Sequence, residues 1–260
     1  MYSELLIFPS KIAEPERFKT HAASILGAAC ANAPVDPLVF ARDSHGALMQ
    51  EVFDKDAEGR ILSKPPHISI SGGKDFFRLT AIGLRGRGVL QEQAALIGTA
   101  VGAHLDTPVR YDFREGDCSL EPLFGRMKTY YIPSMVIAKK AKDFERFAPR
   151  DRRITLDDVT DKIKQLVVDG LVAQARFLDE SYHAAGLPEM ADLEGRIPTD
   201  DMLNIEVFEG NPYFKSLHAG QKGKALVVGG IALTMALDLQ GPWSCGMLRS
   251  RGHGRIWGAV

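Results

Sequence analysis

The chain has 260 residues, of which 45% are apolar and 25% charged, with a formal net charge of −1. That length holds one large domain or two ordinary ones, and the composition is that of a soluble globular protein. The near-zero charge excludes a globally basic nucleic-acid binder, so any polyanion site must come from local segregation of charge. Cys30, Cys118 and Cys245 stand alone, without disulfide or metal spacing, which suits a reducing cytoplasm. The longest apolar run, Ala225 to Leu237, is too short to cross a bilayer, and Met1-Tyr-Ser-Glu lacks the basic region of a signal peptide. A cytoplasmic protein with no membrane partner is expected.

Ser3 to Phe8 is an apolar run closed by Pro9 and reads as a buried strand. A helix follows from about Glu14, with Pro15 in its first turn and an apolar stripe of Phe18, Ala22, Ile25, Leu26 and Ala29. Arg17, His21 and Ser24 share an adjacent face of it. Leu38-Val39-Phe40 has the composition of a short strand, and Arg42-Asp-Ser-His45-Gly46 that of a polar turn. His67 to Ser71 and Phe76 to Leu84 read as two strands about Gly72-Gly73, a hairpin. Arg85-Gly-Arg-Gly88 comes next, and Val89 to Leu105 after it reads as a helix. The first half is therefore close to a βαββαβ unit, a ferredoxin-like arrangement with one open sheet face.

In the second half, Val109 to Leu120 and Arg126 to Ala138 read as strands. Lys139, Lys140, Lys142, Arg146, Arg150, Arg152 and Arg153 then face only three acids, the most basic window of the chain. Such a cluster is more often a solvated face than a binding surface, but a nucleic-acid backbone needs a patch of this kind. Thr155-x-x-Asp158 resembles a capping box and opens a helix with Val159, Ile163, Leu166, Val167 and Leu171 at helical spacing, ended by Gly186 and Pro188. From Asp157 to Glu206 twelve acids face four bases, so this helical segment reads as an acidic insertion. Leu203 to Phe208 reads as a strand and Asn211-Pro212 as a turn. The run from Ala225 to Leu237 is either a strand turning at Gly229-Gly230 or a strand followed by a helix.

The last stretch, Gly241 to Gly258, carries five glycines and three arginines, Arg249, Arg251 and Arg255, with no acid. Glycine permits close backbone approach and positive φ, and arginine supplies planar charged donors for phosphate, so this loop is suited to lie against a polyanion. No Gly-Lys-Ser/Thr follows the glycines, which excludes a nucleoside-triphosphate loop. Nor do the His, Asp and Glu residues show metal-ligand spacing.

Two segments carry a family resemblance. Phe77-Arg-Leu-Thr-Ala-Ile-Gly83 with the helix to Leu105 and Thr107 to Phe113 is one; Gly223 to Gly254, ending Cys245-Gly-Met-Leu-Arg-Ser-Arg-Gly-His-Gly254, is the other. Together they resemble the repeat-associated CRISPR RNA-processing endoribonucleases, and the segment at 141–200 is similar to the helical finger of the type IV variant. The resemblance implies an α+β chain of two tandem ferredoxin-like (RRM-like) domains, 1–106 and 107–260. The second would carry the helical insertion at about 141–200 and the glycine-rich loop. It implies metal-free cleavage of a repeat RNA beside its stem-loop, without cofactor, followed by retention of the product and association with other effector subunits. The family places its catalytic histidine on or just after the first helix, which selects His21 and His45, with Arg42 close by; the turn makes His45 the preferred one. Arg17, the basic stretch from Lys139 to Arg153, and Gly246, Arg249, Arg251, Gly252, His253, Gly254 and Arg255 are the expected RNA contacts. Two alternatives stay open: a non-catalytic guide-RNA-binding subunit of the same superfamily, and a small-molecule α/β enzyme whose loop holds a phosphate.

Overall fold

A computed structural model describes residues 1–40, 65–139, 153–198, 203–216 and 224–258. The chain forms two compact units. The first comprises Met1–Cys118, Phe177–Ala191 and Ser250–Gly252; the second comprises Ser119–Arg176, Asp192–Arg249 and His253–Val260. Among the described residues no helix is long and apolar enough to cross a membrane.

The first unit is built from β1 (Tyr2–Pro9), α1 (Pro15–Ala29), β2 (Ile68–Gly72), β3 (Phe77–Ile82), α2 (Gly83–Leu105) and β4 (Val109–Gly116). Its sheet runs β2-β3-β1-β4 with every neighbouring pair antiparallel, the strand order of a ferredoxin-like fold. Leu5, Ile7, Ile68, Ile70, Phe77 and Leu79 bury one face of this sheet in a core with Phe18 and Leu26 of α1 and Leu90, Ile97 and Val101 of α2. The unit continues to Cys118, past the division expected after residue 106, because β4 pairs with β1 from Val109 to Gly116.

Two local expectations shift for identifiable reasons. Helix α2 begins at Gly83, so Arg85-Gly-Arg-Gly88 lies inside it rather than before it. A Cβ on Gly86 would lie 2.5 Å from the His67 carbonyl oxygen, so that glycine lets the helix approach the chain at His67 closely. The first turn of α2 is also anchored, since the Leu84 N–H donates to Ser181 Oγ at 2.9 Å. Pro37–Phe40 forms a 3₁₀ turn instead of a strand, because the Leu38 N–H donates to Asp36 Oδ1 at 2.8 Å and the Val39 N–H to the Asp36 carbonyl.

The second unit contains β5 (Ser119–Pro122), β6 (Lys128–Ala138), most of α3 (Thr160–Ala184), β7 (Glu206–Ser216), β8 (Lys224–Met235), β9 (Leu237–Gln240) and β10 (Trp257–Gly258). Its main sheet runs β10-β6-β8-β7, the same order as the first with β6 in the place of β1, while β5 and β9 form a separate ribbon. Helix α3 occupies the β6–β7 connection, the segment expected as a helical insertion. The expected capping box lies ahead of the helix: the Thr155 N–H and Oγ1 both donate to Asp158 Oδ2, at 2.9 and 2.8 Å, and close a turn that leads into it at Thr160. Val159, Ile163, Val167 and Leu171 are fully buried along its apolar stripe.

The segment from Val109 to Leu120 divides into β4 and β5, which belong to different sheets. Asn211-Pro212 is no turn; it lies within β7, where a proline is tolerated because β7 is the edge strand and the register shifts just before it. The Ala225–Leu237 run is one strand through Gly229-Gly230, paired along β6 without a break at the glycines, before β9 begins. The second crossover of this unit, from β9 to β10, holds a glycine-rich loop with a single 3₁₀ turn at Arg249–Arg251 where the first unit has α2.

Candidate nucleic-acid interface

The loop from Gly241 to Ile256 is fastened at its base, its middle and its return. At the base, Trp243 is fully buried and its Nε1–H is shared between the Ser119 and Gln240 carbonyls at 3.0 and 2.8 Å. Gln174, fully buried on α3, donates from Nε2 to the Pro242 carbonyl at 2.8 Å and accepts from both Ser244 N–H and Ser244 Oγ at 3.1 Å. In the middle, the Met247 N–H donates to the Val136 carbonyl at 3.0 Å, and Met247 and Leu248 pack on Val136, Ala225 and Val227. On the return, the Gly254 N–H donates to the Ser134 carbonyl at 2.7 Å, the Cys245 N–H to the Gly254 carbonyl, and the Ile256 N–H to the Trp243 carbonyl.

This path dictates the glycines. Gly246, Gly252 and Gly254 are all left-handed, and a Cβ on Gly254 would sit 1.7 Å from the Cys245 carbonyl oxygen. No side chain fits there. On the facing helix, a Cβ on Gly170 would lie 2.6 Å from Cys245 Cα, so α3 and the loop meet backbone to backbone.

The three loop arginines are not equivalent. Arg251 is exposed, and Arg255 is half-buried with its guanidinium 4.7 Å from the centroid of the Trp257 ring. Arg249 is 5% exposed. Burial pulls its pKa down to about 10, opposed by the neighbouring Cys245, while burial pushes the Cys245 thiol up to about 12. His253, also in the loop, places Nδ1 2.9 Å from Ser134 Oγ, which orients its ring.

Of the other residues singled out in the sequence, His21 is exposed and sits at a kink in α1, where the backbone leaves helical geometry (φ −120°, ψ 23°). Arg17 lies one turn before it on α1. Lys139 and Arg153 are exposed at the two margins of the basic stretch. Lys140, Lys142, Arg146, Arg150 and Arg152 lie outside the described residues, as do Arg42 and His45. Gln174, Ser134, Trp243 and Gly170 were not identified from sequence as site residues. Gln174 alone carried a signal, since it occupies a core-facing position between Leu171 and Leu178 where a polar side chain needs a partner. Among the described residues no group of three or more His, Cys, Asp or Glu is placed to hold a metal ion.

The fold of tandem ferredoxin-like units is shared with solved structures of Cas6 proteins. "Csf5, CRISPR-Cas type IV Cas6 crRNA endonuclease" superposes with a TM-score of 0.65 at 20% identity over 100% of both chains. A crystal structure of Cas6b gives 0.56 at 13% identity over 100% of both chains, and that of the CRISPR RNA processing endoribonuclease Cas6b gives 0.52 at 11% over 99% of each. No curated protein matches the sequence. The sequence model of the type IV CRISPR-associated endonuclease Csf5 matches residues 8–260, and the chain belongs to that family.

Proposed function

We propose that this protein cleaves CRISPR precursor RNA beside the repeat stem-loop to give mature guide RNA, without a metal ion, and that it keeps the product bound within an effector assembly in the cytoplasm. The observation that carries the proposal is the loop itself. In a chain of the Csf5 family, a backbone-rich, arginine-bearing loop is pinned in one shape by Gln174, Ser134, Val136 and Trp243, leaving Arg251 exposed. A rigid loop of this composition presents positive charge to phosphate without having to be ordered first.

In the proposed reaction the 2′-oxygen bonds to the adjacent phosphorus while the bond from phosphorus to the 5′-oxygen breaks. A base removes the 2′-hydroxyl proton and an acid returns one to the leaving oxygen, so the products end in a 2′,3′-cyclic phosphate and a 5′-hydroxyl. His45 is the preferred proton-transfer group and His21 the other candidate, with Arg42 and the loop arginines bearing the charge that develops on phosphorus. Arg17, Gly246, Gly252, Gly254, His253 and the basic stretch from Lys139 to Arg153 hold the RNA.

Single-turnover cleavage of the repeat RNA in EDTA tests the reading. A specific cut beside the hairpin that carries a cyclic phosphate supports it. Tight binding without cleavage replaces it by a non-catalytic guide-RNA subunit. No loss of rate in either His45→Ala or His21→Ala would remove histidine from the chemistry.

A further inference from the structure

We propose that the exposed side of the second sheet is a stacking site for an unpaired nucleobase, built from Tyr131, Trp257 and Arg255; the inference deepens the RNA-processing reading and rests on it. Residues paired directly across antiparallel strands project to the same face. Trp257 pairs with Tyr131, Tyr131 with Ala232, and Ala232 with Glu209, so one row crosses the sheet as Trp257–Tyr131–Ala232–Glu209. The next row on that face pairs Thr129 with Thr234 and Thr234 with Glu206.

The opposite face is closed. Tyr130 is 1% exposed, and Ile132, Ile231 and Leu233 are fully buried, whereas Tyr131 is 45% exposed. The aromatic ring of Tyr131 is therefore displayed rather than packed, beside Ala232 across the strand and Gly230, whose added Cβ would be 3.8 Å from the phenol oxygen. Small residues leave the ring room for a flat partner.

Three features select a nucleotide as that partner. Arg255 stacks on Trp257, which gives the row a cation at one end, and a cation–π stack on the residue paired with a displayed ring suits a base and its phosphate together. That stack is held in place, since Ser244 bridges to Arg255 and the Ile256 N–H donates to the Trp243 carbonyl. Glu206 and Glu209 stand at the other end of the rows, so phosphate is favoured only on the Arg255 side and a continuous backbone track across the sheet is not. The apolar part of the rows, two rings and an alanine, is small beside the roughly 800 Å² that a stable protein partner covers on each side.

The test uses the full chain, an adenosine hexanucleotide, and the same hexanucleotide with abasic sites. Trp257 is half-exposed and Trp243 fully buried, so quenching of tryptophan fluorescence reports on Trp257. The oligonucleotide should quench it and the abasic analogue should not. Tyr131→Ala should weaken the hexanucleotide by roughly 5- to 100-fold, with Tyr131→Phe within about twofold of the parent, since stacking needs the ring and not the hydroxyl. Equal affinity in folded Tyr131→Ala, or equal quenching by the abasic analogue, overturns the site. So does loss of self-association in Tyr131→Ala with unchanged RNA binding, which would make this face a contact between copies. Cleavage of repeat RNA by the parent protein is scored separately. If that cleavage is absent while base-dependent quenching persists, the processing reading fails and the stacking site stands.

Discussion

Gln174→Leu is the most informative single change in the molecule. The substitution keeps the side-chain volume close to the original but removes three hydrogen bonds, to the Pro242 carbonyl and to Ser244 N–H and Oγ. The serine hydroxyl is half-buried and can turn to water, which leaves two backbone groups without partners beside a fully buried side chain. Each orphaned group costs about 1–3 kcal/mol, and the added apolar burial of leucine returns about 1–2 kcal/mol of the total. At the middle of these ranges the expected net loss is about 2.5 kcal/mol, which for a chain of this size lowers Tm by roughly 5–10 °C. Urea unfolding followed by tryptophan emission reads it well, because buried Trp243 lies in the same loop. A double-mutant cycle with Ser244→Ala isolates the pair, with an expected coupling above about 0.5 kcal/mol. A coupling near zero would remove the hydroxyl bond from the account, and a Tm within about 1 °C of the parent would show that α3 does not hold the loop.

Two further outcomes separate the loop's charges and its buried thiol. Arg251→Ala should leave Tm unchanged while reducing the slope of log affinity for repeat RNA against log salt by about 0.7 to 0.9. Arg249→Ala should lower Tm by several degrees, because that side chain is buried, and the reverse pattern would contradict the division of roles. Burial raises the Cys245 thiol from its ordinary value near 9 to about 12, so the folded protein keeps a proton that the unfolded chain loses. The associated stability is complete below pH 9 and is lost progressively as pH rises above it towards pH 12. Measured between pH 8 and 10, Cys245→Ala should show a shallower decline than the parent.

The elements that were legible in sequence are those whose local and tertiary demands coincide. The stripe from Val159 to Leu171 describes an amphipathic helix that the fold then uses as written. Where the two demands differ, propensity misleads. Gly86 and Gly88 argue against a helix at 83–88, yet α2 runs through them, and at Gly86 the helix comes too near the His67 carbonyl for any side chain. Pro212 argues for a turn, but an edge strand has no partner on its outer side and needs no N–H there. The loop's composition suggests three outward arginines and conceals that Arg249 turns inward. Its anchors are far away in sequence, with Ser134 and Gln174 separated from their partners by 119 and 70 residues, and no local pattern marks such pairs.

A helix satisfies its own backbone and can be moved between proteins with its shape intact. The crossover that here carries a loop in place of a helix has no such independence: Gln174, Ser134, Val136 and Ser119 supply the bonds that the loop lacks, and Gly170 supplies the clearance. Residues 241–256 are thus not a portable module. Spliced alone into another sheet they should lose their form, whereas the loop transferred together with β5, β6 and α3 carries its mould with it.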